Sequence, residues 1–222
     1  LLRRKPMAIV VTGGRHTPRT RQRLENAGVP VIETWDLPEA PIGHVVGFSN
    51  AAAIHGLVDH FVARGLTRIA FIGGDADRDT RGTDRRQGFI TAMRAHGLDD
   101  SRLIAAGPPP ISMREGAEAM HRLLDTRPDT QAVICVSDLS AFGALTACQR
   151  RGIDVPGRIS IAGFGNYEVG AICVPSLTTI DPSPARIGAM AADLLCALQD
   201  EPETAPVIHR IAPRLLVRES SV

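Results

Sequence analysis

Short apolar runs alternate along the chain with longer segments in which apolar residues recur every three or four positions. The short runs have the length of buried strands, and the longer segments have the period of amphipathic helices. Several runs are followed at once by a loop-forming residue, as at Gly13, Gly74 and Ser137, which is typical of a strand that ends in a loop. Strands that alternate with helices build parallel sheets, so the pattern predicts a doubly wound α/β fold.

The same pattern assigns the elements to stretches of the chain. Strands are predicted at 7–12, 29–34, 44–48, 69–72, 102–106, 131–136, 159–163, 177–182 and 208–217, and helices at 18–27, 49–64, 83–98, 112–124, 139–151 and 185–198. The helix at 83–98 carries Phe89 and Met93 on one face, with Arg85 and Arg86 in its predicted first turn. The backbone N–H groups at a helix start already favour an oxygen-rich ligand. We therefore predict that the start of this helix lines the entrance of a small-molecule binding site.

Composition narrows the kinds of partner. The chain has 222 residues, 44% of them hydrophobic, which is enough for a sizeable core in one large domain or two small ones. The formal charge of +1 provides no global basic field for gripping nucleic acid. The N-terminal segment up to Pro6 is too short and too charged for a signal peptide, and no apolar stretch has the roughly 18 residues of a membrane span. We therefore expect a cytoplasmic protein that recognises its ligand locally.

The cysteines give no indication of a metal or a cofactor. Cys135, Cys148, Cys173 and Cys196 lie far apart, without CxxC or Cys/His ligand spacing. We expect reduced core thiols, no metal site and no cofactor.

Five motifs follow one another along the chain in a fixed order: Gly65-Leu-Thr-Arg-Ile-Ala-Phe-Ile-Gly73, Arg85-x-x-Gly-Phe89, Val133-Ile-Cys-Val-Ser-Asp-Leu-Ser-Ala-Phe-Gly-Ala144, Val155-Pro-x-x-Ile-Ser-Ile-Ala-Gly-Phe164 and Pro175-Ser-Leu-Thr-Thr-Ile180. This ordered set resembles the effector domain of the lactose/galactose-repressor family of transcriptional regulators. Within the family, the residues that most resemble gluconate-utilisation repressors are Thr12, the segment His16–Thr20 and the pair Gly47-Phe48.

The resemblance implies a periplasmic-binding-protein-like fold, in which two doubly wound parallel-sheet subdomains hold a sugar-sized ligand in a cleft between them. It assigns residues 1–75 and 182–204 to an N-terminal subdomain, and residues 76–181 and 205–222 to a C-terminal one. Ligand binding would change affinity for operator DNA through a helix-turn-helix headpiece, in a homodimer. The resemblance also implies that the headpiece and the first strand–helix pair are absent from this chain. We expect the missing strand to leave a gap inside a sheet.

The family keeps a ligand-binding arginine at the position of Arg85, three residues before Gly88. A guanidinium can grip vicinal hydroxyls or, in bidentate fashion, a carboxylate. The alternative is a solvated arginine at a helix start. Arg81, one turn earlier, is either a second contact to an anion or an ordinary loop charge, and Arg86 is expected to be exposed.

Two further candidates follow predicted strands of the second half. Ser137 stands where sugar-binding relatives often have an asparagine, whereas Asp138 is interpreted as the N-cap of the next helix. Gly165 stands where many relatives have an aspartate that accepts hydrogen bonds from hydroxyls, and Asn166 follows it. Glycine removes a negative charge, which suits a sugar acid better than a neutral sugar; the alternative is that it only makes room.

His16 and Trp35 each lie just past a strand of the first half, where open α/β sheets bind ligands. The alternative to a ligand-binding role is an ordinary surface histidine for His16 and a partly buried turn residue for Trp35. Asp181 ends the segment that relatives use to cross between subdomains, so it is a candidate hinge and cleft residue.

Three classes of function compete at this level. The first is a ligand-responsive repressor's sensor domain, and the second is a solute-binding protein of a sugar transporter. The third is a nucleotide-using enzyme, but Thr12-Gly-Gly14 makes neither GxGxxG nor a Walker A motif, so no enzyme is predicted. Helix faces around Leu57 or Phe142 could supply a dimer surface or could be ordinary core.

Overall fold

A computed structural model of the chain describes residues 6–74, 79–200 and 205–222. These residues form two compact units: the first runs up to Ser49 and from Pro182 to Pro213, and the second runs from Asn50 to Asp181 and from Arg214 onwards. The chain therefore crosses between the units three times. Most of the N-terminal segment discussed above for a signal peptide lies outside the described residues.

The first unit is a four-stranded, all-parallel sheet with two helices. Its strand order is β1-β2-β3-β9, and α7 packs against β2 and β3. The inner strands β2 and β3 are buried along their whole length, whereas β1 lies at the edge, where Val10 is 51% exposed. The elements are β1 (Ile9–Thr12), α1 (Pro18–Glu25), β2 (Val31–Thr34), β3 (His44–Gly47), α7 (Pro184–Asp200) and β9 (Ile208–Arg210).

The second unit is a six-stranded sheet in the order β10-β8-β7-β6-β4-β5. All neighbouring pairs are parallel except β10 with β8, which is antiparallel. Two helix pairs pack side by side, α2 with α3 and α4 with α5. The elements are α2 (Asn50–Ala63), β4 (Ile69–Gly73), α3 (Thr80–Ala95), β5 (Leu103–Ala105), α4 (Met113–Thr126), β6 (Ala132–Cys135), α5 (Asp138–Arg150), β7 (Ser160–Phe164), α6 (Glu168–Ile172), β8 (Thr178–Asp181), β10 (Arg214–Leu216) and a 3-10 helix at Glu219–Ser221.

Local sequence accounts for several element boundaries. Thr17 caps α1 by accepting from the Thr20 N–H, and Pro18 follows at the first helical position, where its missing N–H costs nothing. Ser112 and Glu115 form a capping box at the start of α4. The order of the elements and the parallel pairing of their strands confirm the strand–helix alternation and the α/β class predicted from the pattern.

The division into units differs from the predicted subdomains at two of three boundaries. Because β4 pairs with β5 and β6, residues 50–74 belong to the second unit, and β9 places residues 205–213 in the first. The predicted boundaries at 75/76 and 204/205 adjoin segments outside the described residues. The predicted and the observed division agree at one boundary, where the chain returns to the first unit directly after Asp181.

Two other expectations are wrong. The predicted final strand at 208–217 is split into β9, in the first sheet, and β10, in the second, with Pro213 between them, which has no N–H for a ladder. The interior gap expected in a sheet is not found among the described strands, since β1, β2, β3 and β9 pair consecutively.

Candidate functional site

In the second unit, parallel strands β4, β6, β7 and β8 end at the same edge of the sheet. Ligands of open α/β sheets bind outside this carboxyl edge. Ser137 lies two residues past β6, Gly165 directly follows β7, and Asp181 is the last residue of β8. The structure thus brings three of the predicted residues to one edge, and Arg85 reaches the same place from α3.

Arg85 is held there from three sides. Its Nε donates to Asn50 Oδ1 at 2.9 Å, and its Nη1 donates to the Val136 carbonyl at 2.8 Å. The guanidinium carbon lies 3.6 Å from the centre of the Phe164 ring. The alternative of a solvated arginine is therefore wrong, because these contacts orient a half-buried guanidinium at the ends of β6 and β7.

Gly88 explains why Arg85 can reach Asn50. A Cβ on Gly88 would collide with the Ala51 carbonyl, so only glycine lets α3 approach the first turn of α2 this closely. Arg85 lies three residues earlier on α3, beside the neighbouring residue of α2. The Arg-x-x-Gly spacing seen in the sequence is therefore a packing requirement that serves the arginine.

The predicted start of this helix was too late. α3 begins at Thr80, with the Asp79 side chain accepting from the Gly82 N–H, so Arg85 lies in the second turn. Arg81 takes the place in the first turn and is partly exposed. The argument from free helix-start N–H groups therefore concerns the first turn, where the Gly82 N–H already donates to Asp79, and it does not extend to Arg85.

Ser137, and not Asp138, caps α5, which corrects the predicted N-cap. The Ser137 hydroxyl accepts from the Ser140 N–H at 3.3 Å, and the Ser140 hydroxyl accepts from the Ser137 N–H at 3.1 Å. Asp138 is fully buried instead, with Oδ1 accepting from the Thr179 hydroxyl and Oδ2 from the Tyr167 N–H, both at 2.7 Å. Burial raises the pKa of Asp138, and these two hydrogen bonds oppose that rise.

Gly165 has a backbone requirement that the sequence did not reveal. Its φ is +122°, and a Cβ there would lie 2.8 Å from Cε1 of the Tyr167 ring. Its N–H donates to the Ile180 carbonyl of the neighbouring strand β8. Glycine is thus explained by conformation as well as by the proposed loss of a carboxylate.

Asn166 is occupied by a structural contact. It has a φ of +54°, and its side-chain oxygen accepts from Arg218 Nη2 at 2.7 Å, while its N–H donates to the Thr179 hydroxyl. Arg218 also donates to the Leu177 carbonyl, near the amino end of β8. The amide therefore extends away from the carboxyl edge, where its ligand role was predicted. Asp181 accepts from Arg214 Nη2 at 2.9 Å and is buried at the point where the chain leaves the second unit.

Two of the predicted site residues, His16 and Trp35, lie in the first unit. His16 Nε2 lies 2.9 Å from Glu33 Oε1, and the other carboxylate oxygen accepts from the Ile42 N–H at 2.7 Å. Glu33 is fully buried on β2. Trp35, directly after β2, has a φ of +70° and donates its N–H to the Val46 carbonyl.

Sequence reasoning missed Asn50, Phe164 and Glu33. A carboxylate inside an otherwise apolar strand, as in Val31-Ile-Glu-Thr34, is a signal that a buried partner exists. Phe164 belonged to a recognised motif without a role, and Asn50 lay at the start of the helix predicted at 49–64. Neither contact could be found locally, since the partner of both is Arg85 on another helix.

The cysteines are only partly as expected. All four are free, and Cys135 and Cys148 are buried, but Cys173 is partly exposed and Cys196 is exposed and is therefore no core thiol. Burial raises the pKa of Cys148 to about 12. Within the described ranges, no group of three or more His, Cys, Asp or Glu side chains is arranged to hold a metal ion.

Two α/β units of this kind, with a polar site at a carboxyl edge, define a periplasmic-binding-protein-like domain, and the family model described as "Periplasmic binding protein-like domain" matches residues 58–221. The chain belongs to the lactose/galactose-repressor (LacI/GalR) family of transcriptional regulators, which confirms the resemblance seen in the sequence. A LacI family regulator from Silicibacter pomeroyi superposes with a TM-score of 0.93 at 40% identity, covering 99% of this chain and 79% of that one. The transcription regulator GntR from Chromobacterium violaceum superposes with a TM-score of 0.86 at 35% sequence identity, covering 99% of this chain and 80% of that one.

A curated relative is similar over nearly the whole chain. The HTH-type transcriptional regulator GntR of Pseudomonas aeruginosa is 33% identical over 217 residues, which are 98% of this chain and 63% of that protein. The chain thus spans about three fifths of the length of this relative. The relatives are named as transcriptional regulators and not as enzymes, in agreement with the prediction. No helix among the described residues is long and apolar enough to span a membrane.

Proposed function

We propose that this chain is the effector-sensing domain of a DNA-binding transcriptional repressor, and that its effector is a small sugar or, preferably, a sugar acid such as gluconate. The family supports the sensor role over that of a transporter's solute-binding protein, since the relatives are named as transcriptional regulators. The observation that carries the choice of ligand is the orientation of Arg85 at the carboxyl edge of the six-stranded sheet.

A guanidinium that is already held by Asn50, the Val136 carbonyl and the Phe164 ring loses little conformational freedom when a ligand arrives. Arginine is also the side chain that best matches a carboxylate or a pair of neighbouring hydroxyls. Gly165, next to Phe164, brings no negative charge to this edge. An anionic ligand therefore meets a fixed cation without an opposing carboxylate at that position.

In the whole protein we propose that effector binding shifts the population of conformations and thereby changes affinity for operator DNA through a headpiece outside this chain. Such a protein acts in the cytoplasm, as a homodimer. Ile54, Leu57, Val58 and Phe61 are fully buried within the second unit, so the face of α2 considered for dimerisation is core. Ile172 and Val174 are better candidates, because they are 71% and 77% exposed.

Titration calorimetry of the intact effector domain with D-gluconate and with D-glucose tests the proposal. We expect the wild type to bind gluconate more tightly. Arg85→Ala should weaken gluconate binding by about 10- to 100-fold, because charged hydrogen bonds contribute about 1.5–3 kcal/mol. Arg86→Ala is the matched control, since it removes the same side chain one position along α3.

Two results would contradict the proposal. One is equal gluconate affinity in the Arg85→Ala variant and the wild type, which would remove Arg85 from the site. The other is failure of the wild type to bind any sugar or sugar acid. Circular dichroism and thermal unfolding of both variants establish that a loss of affinity is not a loss of fold.

A further inference from the structure

Two of the groups that contact the Arg85 guanidinium, the Val136 carbonyl and the Phe164 ring, lie on different segments of the chain. The Val136 carbonyl follows β6, and the Phe164 ring ends β7. The orientation of the guanidinium therefore depends on how these two strand ends are held relative to each other. A group that ties them together would set the geometry of the arginine without contacting a ligand.

The side chain of Asp138 connects the ends of these two strands. It follows Val136 by two residues, and its Oδ2 accepts from the N–H of Tyr167, three residues after Phe164, at 2.7 Å. Its Oδ1 accepts from the Thr179 hydroxyl at 2.7 Å, and the same hydroxyl oxygen accepts from the Asn166 N–H at 3.3 Å. The buried carboxylate thus joins the segment after β6 to the turn after β7 and to β8.

Both contacts are donated to the carboxyl group. An ionised carboxyl accepts at both oxygens, whereas an amide accepts at only one and would place its NH2 group against the Thr179 hydroxyl, which would then have to accept instead of donate. The Tyr167 donor is a backbone N–H, which cannot turn into an acceptor. A Cβ on Gly163 would collide with Asp138, so the side chain is also confined sterically.

We infer that Asp138 is a positioning residue for the effector site, which holds the ends of β6 and β7 at the separation that Arg85 needs in order to bond Val136 and stack on Phe164. As a statement about ligand affinity, the inference rests on the proposed function. As a statement about the orientation of the guanidinium, it does not.

The test is the Arg85 Nε–H resonance in 15N-labelled effector domain, assigned by its loss in Arg85→Lys. The Phe164 ring current shifts this signal, and Phe164→Leu defines its position without the ring. We expect Asp138→Asn to move the signal toward that position and to weaken D-gluconate binding by about tenfold, as partners that orient binding groups commonly do. Asp129→Asn is the control, because it removes a carboxylate from an exposed turn whose partner is Arg102.

Thr179→Val is the second variant, since it keeps the shape of the side chain and the charge of Asp138 but removes one of its two donors. We expect a change in the same direction and smaller. An unchanged Arg85 signal in the folded variants would overturn the inference, and Thr179→Val decides alone if Asp138→Asn does not fold. If the wild type binds no gluconate, the proposed function fails, whereas the resonance still tests the positioning role.

Discussion

Replacement of Gly165 separates two explanations for the glycine, one from backbone conformation and one from charge. At a φ of +122°, any other residue is strained, which costs about 1–3 kcal/mol. The new Cβ would also lie 2.8 Å from the Tyr167 ring, but this side chain is 46% exposed and can move aside. We therefore expect Gly165→Ala to lower the free energy of unfolding by about 1–3 kcal/mol and to leave the preference for gluconate over glucose intact.

Gly165→Asp adds a carboxylate to the same backbone change. Two unit charges about 6–10 Å apart repel by about 1.5–3 kcal/mol at an effective dielectric constant of about 20. Relative to Gly165→Ala, the aspartate variant should thus bind D-gluconate roughly 10- to 100-fold more weakly, and its affinity for D-glucose should change much less.

Urea unfolding and titration calorimetry on both variants measure the two effects separately. If Gly165→Ala is as stable as the wild type, the conformational argument is refuted. If Gly165→Asp binds gluconate as well as Gly165→Ala does, the carboxylate is irrelevant to ligand choice, and glycine is there only for the turn.

Two further predictions concern the stability of the first unit and the assembly of the second. Burial, with His209 nearby, lowers the pKa of His44, and the neutral ring accepts from the Val207 N–H through Nδ1. The stability contributed by the neutral His44 ring is fully present above the unfolded pKa of about 6.5 and is lost as pH falls through the lower pKa of the folded state. The hydrogen-exchange protection factor of the Val207 amide should therefore be smaller at pH 5 than at pH 7. His44→Gln should abolish that difference; an equal pH dependence in this variant would contradict it. Ile172→Asp with Val174→Asp should shift the domain from dimer to monomer in analytical ultracentrifugation. Val10→Asp, at an exposed apolar residue of the first unit, is the control, and an unchanged dimer would exclude this surface.

Prediction from sequence succeeded where the signal is local. The runs at 69–72 and 131–136 became β4 and β6 because apolar residues of that length and β-branched content have few other arrangements. The start of the helix predicted at 112–124 was confirmed for the same reason, since the capping box of Ser112 with Glu115 involves only four neighbouring residues. The position of Arg85, three residues before Gly88, was also accessible through the resemblance, whereas its role in ligand binding stays a prediction.

Prediction failed where two local solutions compete or where a distant partner decides. Ser137 and Asp138 are both good N-caps, and the choice between them depends on Tyr167 and Thr179, which lie 29 and 41 residues away from the aspartate. Asp79, a cap that local reasoning could have found, was overlooked, which misplaced the start of α3. The final strand was divided between two sheets because its halves find partners in β3 and β8.

The sequence by itself determined the class of fold, the family and the presence of an arginine suited to an oxygen-rich ligand, because periodicity, glycine spacing and motif order are properties of the chain alone. Only the tertiary structure decided what surrounds that arginine and which polar residues at the strand ends are structural. The physical reason is that a buried carboxylate or guanidinium must find its hydrogen-bond partners within the fold. For Arg85 and Asp138 those partners are Asn50, Tyr167 and Thr179, which only folding brings together.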